Sequence, residues 1–378
     1  MGNQRICLSM IVKNEAPVIE RCLNSVLPII DYWVICDTGS TDGTQEIIKQ
    51  FFAKHAMQGE LHDRPWRDFA YNRSEALELA RDKGAYSFII DADDTLEVPA
   101  GFELFDLTAD SYTVDIQDTS IQYQRTQLVT NGLPWCYRGV LHEFLACDSA
   151  KSSGHLPLIM RRNHDGARRR DPNTYRKDAA ILEAALQTES YPFMRSRYAF
   201  YLAQSYRDCG EKEKALQHYL KRAELGFWQE EAFYSLYQAA IIKQEMNFPE
   251  QEVVDTYLRA ADFLPTRAEA LHGVSRFCRF RRRFEEGYQL ALRGISISLP
   301  QSGLFVEKWI YSYALLDELA INAYWCGKYA QCIEACHRLL TEGKLPADQQ
   351  ERVEKNRRRA QRCREHAPPI RGRRSLHA

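Results

Sequence analysis

The chain has 378 residues, enough for two domains of ordinary size, and 45% of them are hydrophobic. The net charge of −1 gives no overall field that would hold the protein on nucleic acid or on a membrane. No apolar run approaches the about 20 residues of a membrane span. Eleven scattered cysteines, without a C-x-x-C pair, indicate reduced thiols, so we expect a cytoplasmic protein that is at most peripheral at a membrane and binds no nucleic acid.

Residues 5–95 alternate apolar strand candidates with helical stretches. The strands are RICLSMIV, DYWVICD, GELHD and AYSFIID, and the helices are APVIERCLNSVL, TDGTQEIIKQFFAKH and FAYNRSEALELARDKG. Ser40 and Thr41 are typical of a cap for the second helix. This alternation predicts an α/β domain with a mainly parallel sheet. Ligands of such sheets bind at the carboxyl ends of the strands, where Asp37 and Asp91 fall.

Residues 110–165 have a different pattern. SYTVDIQ and SIQYQRTQLVT alternate polar and apolar residues, and NGLP follows as a turn. This pattern predicts an antiparallel hairpin or flap.

From about residue 172 the chain is predicted to be all helical, with a repeat. Equivalent positions are Ala203, Gly210, Ala215 and Tyr219, then Ala320, Gly327, Cys332 and Cys336, and more loosely Ser275, Arg282, Gly287 and Ala291. Small residues at helix crossings and turns are typical of tetratricopeptide (TPR) repeats, whose units must stack to bury their apolar faces. An ordinary helical bundle is the alternative. We expect Cys332 and Cys336 to pack in the core rather than bind a metal.

The end of the chain is basic. Residues 351–378 hold ten Lys and Arg against three Asp and Glu, a difference of +7. Together with two prolines and a glycine, this composition predicts a solvated helix end and a partly disordered tail. The expected divisions are therefore 1–170, 171–350 and 351–378.

The segment FIIDADDTL ends an apolar strand in three carboxylates, Asp91, Asp93 and Asp94. Charges so close repel one another unless a cation or hydrogen-bond donors lie beside them. Oxygen ligands suit Mg²⁺ or Mn²⁺, which would in turn bind a diphosphate. A structural acidic turn is the alternative.

The same segment also resembles the first motif of haloacid-dehalogenase-type phosphatases, in which Asp91 would accept the phosphoryl group and Asp93 would act as the general acid. That motif normally opens its domain, whereas about 85 residues of strand–helix alternation precede it here. The distal acidic pair of those phosphatases is missing after residue 97.

The motifs before the acidic segment decide between these alternatives. MIVKNEAPVIERCLNSV, WVICDTGSTDGTQEII, WRDFAYNRSEALELA and AYSFIIDADD resemble, in this order, the start of family 2 glycosyltransferases of the Rossmann-like GT-A fold. The resemblance covers residues 5–165. The helical half looks like the repeat region that follows the transferase domain in a subgroup including peptide S-glycosyltransferases of the bacteriocin type.

The resemblance implies a nucleotide site, in which Asp37 would accept a hydrogen bond from uracil N3–H. Cytosine has no such proton. The implied nucleotide-binding set is Val12, Asn14, Glu15, Asp37, Ser40, Asp68, Arg73 and Asp91. Asp94 would contact the donor sugar or be structural. Arg168, Arg169 and Arg170 would close over phosphates or form a solvated linker.

The resemblance also implies a metal and a base. Asp93, Asp91 and His142 are the candidate ligands of Mn²⁺ or Mg²⁺. An inverting transfer needs a base that deprotonates the acceptor. Glu143 is the first choice and Asp165 the second, because the family's usual Glu-Asp base motif is absent.

The sequence therefore predicts a metal-dependent, inverting glycosyltransferase that uses a UDP-sugar, with UDP-glucose and UDP-N-acetylglucosamine favoured by the resemblance. The acceptor would be a glycan, a lipid-linked molecule, a protein or a peptide. The helical half would present the acceptor or form a homodimer. An inactive, transferase-like TPR scaffold is the alternative from a different class.

Overall fold

The computed structural model describes residues 4–119, 121–342 and 344–366. The chain divides into two compact units, Met1–Ser190 and Tyr191–Ala378. The sequence analysis placed this division near residue 170. The helix Thr174–Thr188, which it assigned to the helical half, falls in the first unit.

The first unit alternates strands and helices up to β4 and is then mainly strand. Its strands are β1 (Ile6–Val12), β2 (Tyr32–Asp37), β3 (Gly59–Asp63), β4 (Tyr86–Ile89), β5 (Thr95–Glu97), β6 (Ser111–Asp118), β7 (Ile121–Thr130), β8 (Cys136–Arg138), β9 (Phe144–Ala146) and β10 (Ser153–Arg161). Its helices are α1 (Ile19–Val26), α2 (Thr44–Lys54), α3 (Phe69–Ala80), α4 (Ala167–Arg170) and α5 (Thr174–Thr188). The predicted α/β organisation is confirmed.

One large sheet positions the candidate site. Its strand order is β3-β2-β1-β4-β7-β6-β10-β5, and β8 pairs with β9 separately. The pairs β3–β2, β2–β1, β1–β4 and β6–β10 are parallel, whereas β4–β7, β7–β6 and β10–β5 are antiparallel. The predicted hairpin is the pair β6–β7. The sheet is thus parallel on the β3–β4 side and mixed beyond it.

Burial on both faces explains why the central strands are apolar throughout. Nearly every residue of β1 and β2 is buried. Helix α1 covers the sheet with Ile19, Cys22, Leu23 and Val26, which share one face at helical spacing. Trp33 of β2 stacks on Phe52 of α2 with 4.3 Å between ring centroids.

The expected Ser40 and Thr41 cap of α2 is wrong. The helix begins at Thr44, and its N-cap is Gly43 in the left-handed region at φ 91°. Ser40 and Thr41 instead contact Asn14 across the loop edge of the sheet. The sequence analysis interpreted Ser40 and Thr41 as a helix cap, but in the fold both residues hydrogen-bond to Asn14 instead.

The second unit is built of helices that pack on their neighbours in the chain. They are α6 (Pro192–Asp208), α7 (Lys212–Ala223), α8 (Gln229–Glu245), α9 (Glu250–Phe263), α10 (Glu269–Phe280), α11 (Phe284–Ile295), α12 (Leu315–Trp325), α13 (Tyr329–Thr341) and α14 (Ala347–Glu365), with a π-helical turn (Ile310–Ala314) before α12. Short turns join the pairs α6–α7, α8–α9, α10–α11 and α12–α13.

These turns share a conformation that supports the predicted TPR-like repeat. The residues Gly210, Asn247, Arg282 and Gly327 are left-handed, at φ 84°, 55°, 60° and 74°. Gly and Asn adopt this region readily, whereas arginine does so at a cost. Cys332 and Cys336 lie in the core of the last pairs, as expected.

The basic segment from residue 351 begins as α14, which continues to Glu365. The expected loose tail, residues 367–378, lies outside the described residues. Across the part of the chain that the structure covers, no helix is long and apolar enough to span a membrane.

Candidate functional site

Most predicted site residues meet at one edge of the large sheet. Because β2, β1 and β4 are parallel, their carboxyl ends bring Asp37, Val12 and the turn Asp91–Asp94 to the same edge. Two strand spacings separate β2 from β4, roughly 10 Å. This is the edge at which ligands of α/β sheets bind.

The loops after β1 and β2 are tied together. Asn14 is left-handed at φ 57°; its backbone N–H donates to Ser40 Oγ at 2.9 Å, and its side-chain oxygen accepts from Thr41 N at 2.8 Å. Thr38 donates from both its backbone and its hydroxyl to the carbonyl of Val12. Residues 13–18 and 38–43 are thus joined by hydrogen bonds, and we call these two loops together the double loop.

Asp37 is fully buried at the base of this double loop. Its Oδ1 accepts from the backbone N–H groups of Gly39 and Ser40 at 2.9 and 2.8 Å. Its Oδ2 has no hydrogen-bond partner among the described residues. A buried carboxylate oxygen without a donor is costly, so a ligand N–H would stabilise this atom if the surrounding loops opened to admit it.

Asp91 is joined to Glu143 through one guanidinium. Arg73 Nη2 donates to Asp91 Oδ1 at 2.5 Å, and Arg73 Nε donates to Glu143 Oε1 at 2.7 Å. All three side chains are largely buried. Burial raises the pKa of Asp91, but the positive charges of Arg73, Arg125 and Arg162 and the hydrogen bond from Arg73 together outweigh burial and hold that pKa well below its usual range.

Asp93 is the carboxylate of the turn that stays open. Its backbone carbonyl accepts from Arg21 Nη2 at 3.0 Å and from Asn163 Nδ2 at 2.9 Å. No hydrogen bond or ion pair to its carboxylate is recorded within the described ranges. Gly166 lies beside it, and a Cβ on this glycine would come within 2.6 Å of Asp93 Oδ2. The missing side chain of Gly166 therefore leaves room beside the carboxylate.

Asp94 is buried, with 1% exposure, between two arginines. Its Oδ2 lies 4.0 Å from Arg125 Nη2 and its Oδ1 lies 4.0 Å from Arg162 Nε. Burial, followed by the charge of Asp91, raises the pKa of Asp94 to about 7. A contact of Asp94 with the donor sugar stays a prediction.

Glu15 holds the segment that follows β10. Both of its carboxylate oxygens accept from Ala167 N at 3.1 Å, and Arg170 donates to the carbonyl of Asn14 at 3.0 Å. Burial raises the pKa of Glu15 to about 7, with the charge of Asp93 acting in the same direction and the Ala167 N–H against it.

Three other candidates have contacts that bear on their roles. Asp68 is the N-cap of α3 and accepts from Tyr71 N at 2.8 Å. Asp165 accepts from both terminal nitrogens of Arg21, which lowers the pKa of Asp165. His142 is exposed and left-handed at φ 52°, between β8 and β9.

The arginines 168–170 are used inside the first unit. Arg168 pairs with Asp178 at 2.5 Å and lies over the ring of Phe69. Arg170 donates to the backbone carbonyls of Asn14 and Asp165. These two side chains therefore secure the turn of α4, and closure over phosphates stays a prediction.

The cations that face the acidic turn were missed by the sequence analysis. Arg21 comes from α1, Arg125 from β7 and Arg162 from the residue after β10. Arg125 stands between Gln124 and Thr126 in β7, and nothing in the sequence around it signals a site residue. Arg162 carried no local signal, because its position depends on the pairing of β10 with β6.

The predicted ligand set Asp91, Asp93 and His142 does not form a preformed metal cluster. Over the residues that the structure describes, no group of three or more His, Cys, Asp or Glu side chains is placed to hold a metal ion. Mg²⁺ is often bound by only one or two carboxylates together with substrate phosphates and water. The open carboxylate of Asp93 suits that mode.

Known proteins resemble both parts of this chain. Residues 7–112 match the family model "Glycosyl transferase family 2". The range includes the double loop, α3 and the acidic turn. It leaves the phosphatase alternative without support, and the N-terminal unit carries a family 2 glycosyl transferase domain.

Three curated relatives match over shorter stretches. A TPR repeat-containing protein of Synechococcus elongatus is 36% identical over 100 residues, covering 26% of this chain and 23% of the relative. The SPbeta prophage-derived glycosyltransferase SunS of Bacillus subtilis is 37% identical over 89 residues, covering 23% and 20%. An uncharacterized glycosyltransferase of Rickettsia felis is 32% identical over 126 residues, covering 33% and 40%. The chain thus spans between a fifth and two fifths of the length of these relatives.

Proposed function

We propose that this protein is a glycosyltransferase that moves a sugar from a nucleotide-sugar to an acceptor. One observation carries the proposal: the buried, half-satisfied carboxylate of Asp37 and the acidic turn Asp91–Asp94 lie at the same sheet edge, roughly 10 Å apart. That span suits a nucleoside at one end and a diphosphate at the other. The names of the relatives SunS and the Rickettsia protein agree with this activity.

The donor is a UDP-sugar in this proposal. Asp37 Oδ2 needs a hydrogen-bond donor, which uracil N3–H supplies and cytosine does not. Val12, Asn14, Glu15 and Ser40 line the double loop beside it, and Asp68 caps the helix that carries Arg73. UDP-glucose and UDP-N-acetylglucosamine remain the favoured donors from the resemblance alone.

Asp93 would hold Mg²⁺ or Mn²⁺ together with the diphosphate, with Asp91 as a second or water-mediated ligand. The bound cation would neutralise charge on the leaving diphosphate. Arg73 fixes Asp91 and keeps it ionised. Participation of His142 stays a prediction.

Glu143 is preferred over Asp165 as the base of an inverting displacement. Asp165 is held by Arg21, and its lowered pKa makes it a weaker base. Glu143 is oriented by Arg73 through Oε1. The carboxylate would take the proton of the acceptor hydroxyl or thiol while the acceptor oxygen or sulfur bonds to the anomeric carbon. The bond between that carbon and the diphosphate breaks with inversion, and UDP leaves.

The helical unit would present the acceptor or join two copies of the chain. TPR-like stacks offer extended surfaces to peptides, so a protein or peptide acceptor fits the helical unit, and a glycan or lipid-linked acceptor fits the proposal equally. We propose a cytoplasmic location for the protein, as the sequence analysis predicted.

The test is calorimetric binding of UDP to the full chain with and without Mn²⁺. We expect UDP to bind with Mn²⁺, Asp37→Asn and Asp93→Asn to weaken it at least about tenfold, and CDP not to compete. Asp82→Asn, at an exposed carboxylate of the same unit, is the matched control. UDP-sugars follow, with released UDP as the readout. If no nucleotide binds under any metal condition, the enzyme proposal fails and the scaffold alternative replaces it.

A further inference from the structure

Two arginines beside the acidic turn have hydrogen-bond donors left over. Arg125 and Arg162 approach the carboxyl of Asp94 at 4.0 Å, which is too far for a hydrogen bond. Asp94 is buried, whereas the side chains of Arg125 and Arg162 are 36% and 30% exposed. The guanidiniums therefore lie between a buried carboxyl and the surface of the first unit.

Neighbouring side chains fix where these guanidiniums point. The amide of Gln127, itself buried, donates to the carbonyl of Ile89 at 2.6 Å and accepts from Arg125 Nε at 3.0 Å. Arg162 Nη1 lies 3.7 Å from Asp118 Oδ2, and the other oxygen of Asp118 contacts His164 at 2.6 Å. Both arginines are thus held by groups that are already engaged elsewhere.

Few donors of the two guanidiniums are used inside the described part of the protein. Arg162 Nε is buried and has no hydrogen-bond partner among the described residues. For Arg125, the Nε bond to Gln127 is the one hydrogen bond recorded within the described ranges. A guanidinium carries five N–H donors in a planar fork that matches a carboxylate or a phosphate. The guanidiniums of Arg125 and Arg162 lie beside Asp94 without hydrogen-bonding to it, so their N–H groups can donate to an oxyanion of a ligand.

The position of the pair relative to Asp37 indicates which substrate that oxyanion belongs to. In the strand order β3-β2-β1-β4-β7-β6-β10-β5, Asp37 ends β2 on one flank of β4, whereas Arg125 of β7 and Arg162 after β10 lie on the other flank. With the nucleoside at β1–β2 and the diphosphate at the β4 turn, the β7–β10 flank is left for the acceptor.

We propose that Arg125 and Arg162 form an oxyanion-binding subsite on the acceptor side, and that the acceptor carries a phosphate or carboxylate group next to the atom that receives the sugar. This assignment rests on the proposed function. The donor diphosphate offers the same chemistry, so the experiment must separate the two sources.

The experiment uses inorganic phosphate as the probe, followed by ³¹P NMR on the full chain, alone and saturated with UDP and Mg²⁺. The variants are Arg125→Gln and Arg162→Gln. Arg161→Gln is the matched control, because Arg161 is the adjacent residue and forms an exposed pair with Glu97. UDP affinity is measured calorimetrically for every variant.

We expect phosphate to bind to the UDP-loaded protein. Each variant should weaken phosphate binding at least about tenfold while UDP affinity changes less than about threefold, and the control should change neither. If UDP competes with phosphate and the variants lose UDP affinity to the same extent, the pair serves the donor diphosphate and the acceptor assignment is overturned. If phosphate does not bind to the wild type, there is no subsite.

The outcome also separates this proposal from the proposed function. A protein that binds phosphate through these arginines but never binds UDP keeps the oxyanion subsite and loses the transferase. Arg162 is slightly less exposed than Arg125, so Arg162→Lys, which keeps the charge, replaces the glutamine variant if the latter does not fold. A lysine variant that regains phosphate binding supports the subsite.

Discussion

Arg73 Nη2 donates a 2.5 Å hydrogen bond to Asp91 Oδ1, so the first carboxylate of the acidic turn is compensated by a cation of the protein itself. The same guanidinium also binds Glu143, on the loop that precedes β9. Repulsion among the three aspartates was a reason to expect a metal. Arg73 offsets the negative charge of Asp91, and the carboxylate of Asp93 remains available as an oxygen ligand.

Arg73→Met should therefore be strongly destabilising. Both Asp91 and Glu143 would remain largely buried without their partner, and removing one member of such a buried ion pair costs about 3 kcal/mol or more. Urea unfolding of the wild type and the variant at pH 7 measures this loss. Arg73→Lys should lose less, because lysine can retain one of the two contacts. Equal stability of Arg73→Met and the wild type would contradict the linkage.

Glu15 should make stability depend on pH in the direction opposite to an ion-paired carboxylate. Its pKa is raised to about 7 in the fold, against about 4.3 in an unfolded chain, so the folded state binds the extra proton. The wild type should lose stability as the pH rises from about 4.3 to about 7. Glu15→Gln should lose less over this range, because Asp94, whose pKa is also raised to about 7, still titrates there. Between pH 5 and pH 8, we expect the variant to gain about 1 kcal/mol on the wild type, a discounted value because Glu15 is only half-buried.

Thermal and urea unfolding at the two pH values check this dependence. Glu20→Gln, at an exposed position of α1, is the control and should show no such change. A difference between Glu15→Gln and the wild type that is the same at pH 5 and pH 8 would show that Glu15 is ionised in the fold throughout.

Gly166→Ala should affect ligand binding more than stability. Gly166 has φ −67°, which alanine adopts without strain, but the new Cβ would come within 2.6 Å of Asp93 Oδ2. The Asp93 carboxylate must then move, and we expect Mn²⁺-dependent UDP affinity to fall at least about tenfold, with unfolding free energy within about 1 kcal/mol of the wild type.

Gly132→Ala is the matched control, since its nearest neighbour, Thr130 Oγ1, would be 3.5 Å from the added Cβ. Calorimetry gives the affinities of both variants. Unchanged UDP affinity in Gly166→Ala would mean that the present position of the Asp93 carboxylate is not needed for binding.

Arg282→Gly should stabilise the helical unit. Arg282 is left-handed at φ 60°, in the turn where the other helix pairs have Gly210, Asn247 and Gly327. Relief of this conformation outweighs the greater freedom of glycine in the unfolded chain, and we expect a gain of up to about 1 kcal/mol. Arg281→Gly, at φ −89° in the same turn, has no strain to relieve and should destabilise. Urea unfolding of both variants decides the matter.

The sequence predicted correctly those features that depend on neighbouring residues, namely the parallel strands and the repeat turns. The apolar runs of β1, β2 and β4 identified the parallel strands, and the strand-end rule placed Asp37 beside the acidic turn. The repeat offsets located the turns at Gly210 and Gly327 because a backbone conformation had selected glycine there.

The rest depends on contacts between distant segments. Arg125 and Arg162 reach Asp94 only because β7 and β10 enter the sheet beyond β4, a register set by pairing across tens of residues. Ser40 and Thr41 could have capped α2 or contacted Asn14, and in the fold they contact Asn14. Such competition cannot be read from spacing alone.

The short strand β5 makes the acidic turn a tether of fixed length. β4 ends at Ile89 and β5 begins at Thr95, although three strands separate them in the sheet. On a flat sheet that separation would be about 19 Å, nearly the reach of fully extended chain, which is about 21 Å for six residue steps. The hydrogen bond from Asp94 N to Asp91 O folds this segment, which is then too short to cross a flat sheet. The sheet must therefore curl to bring the edge strand β5 closer to β4. An inserted residue in 90–94 would let that curl relax and carry Arg162 away from Asp94. The number of residues in the turn, and not only their chemistry, therefore sets the shape of the site.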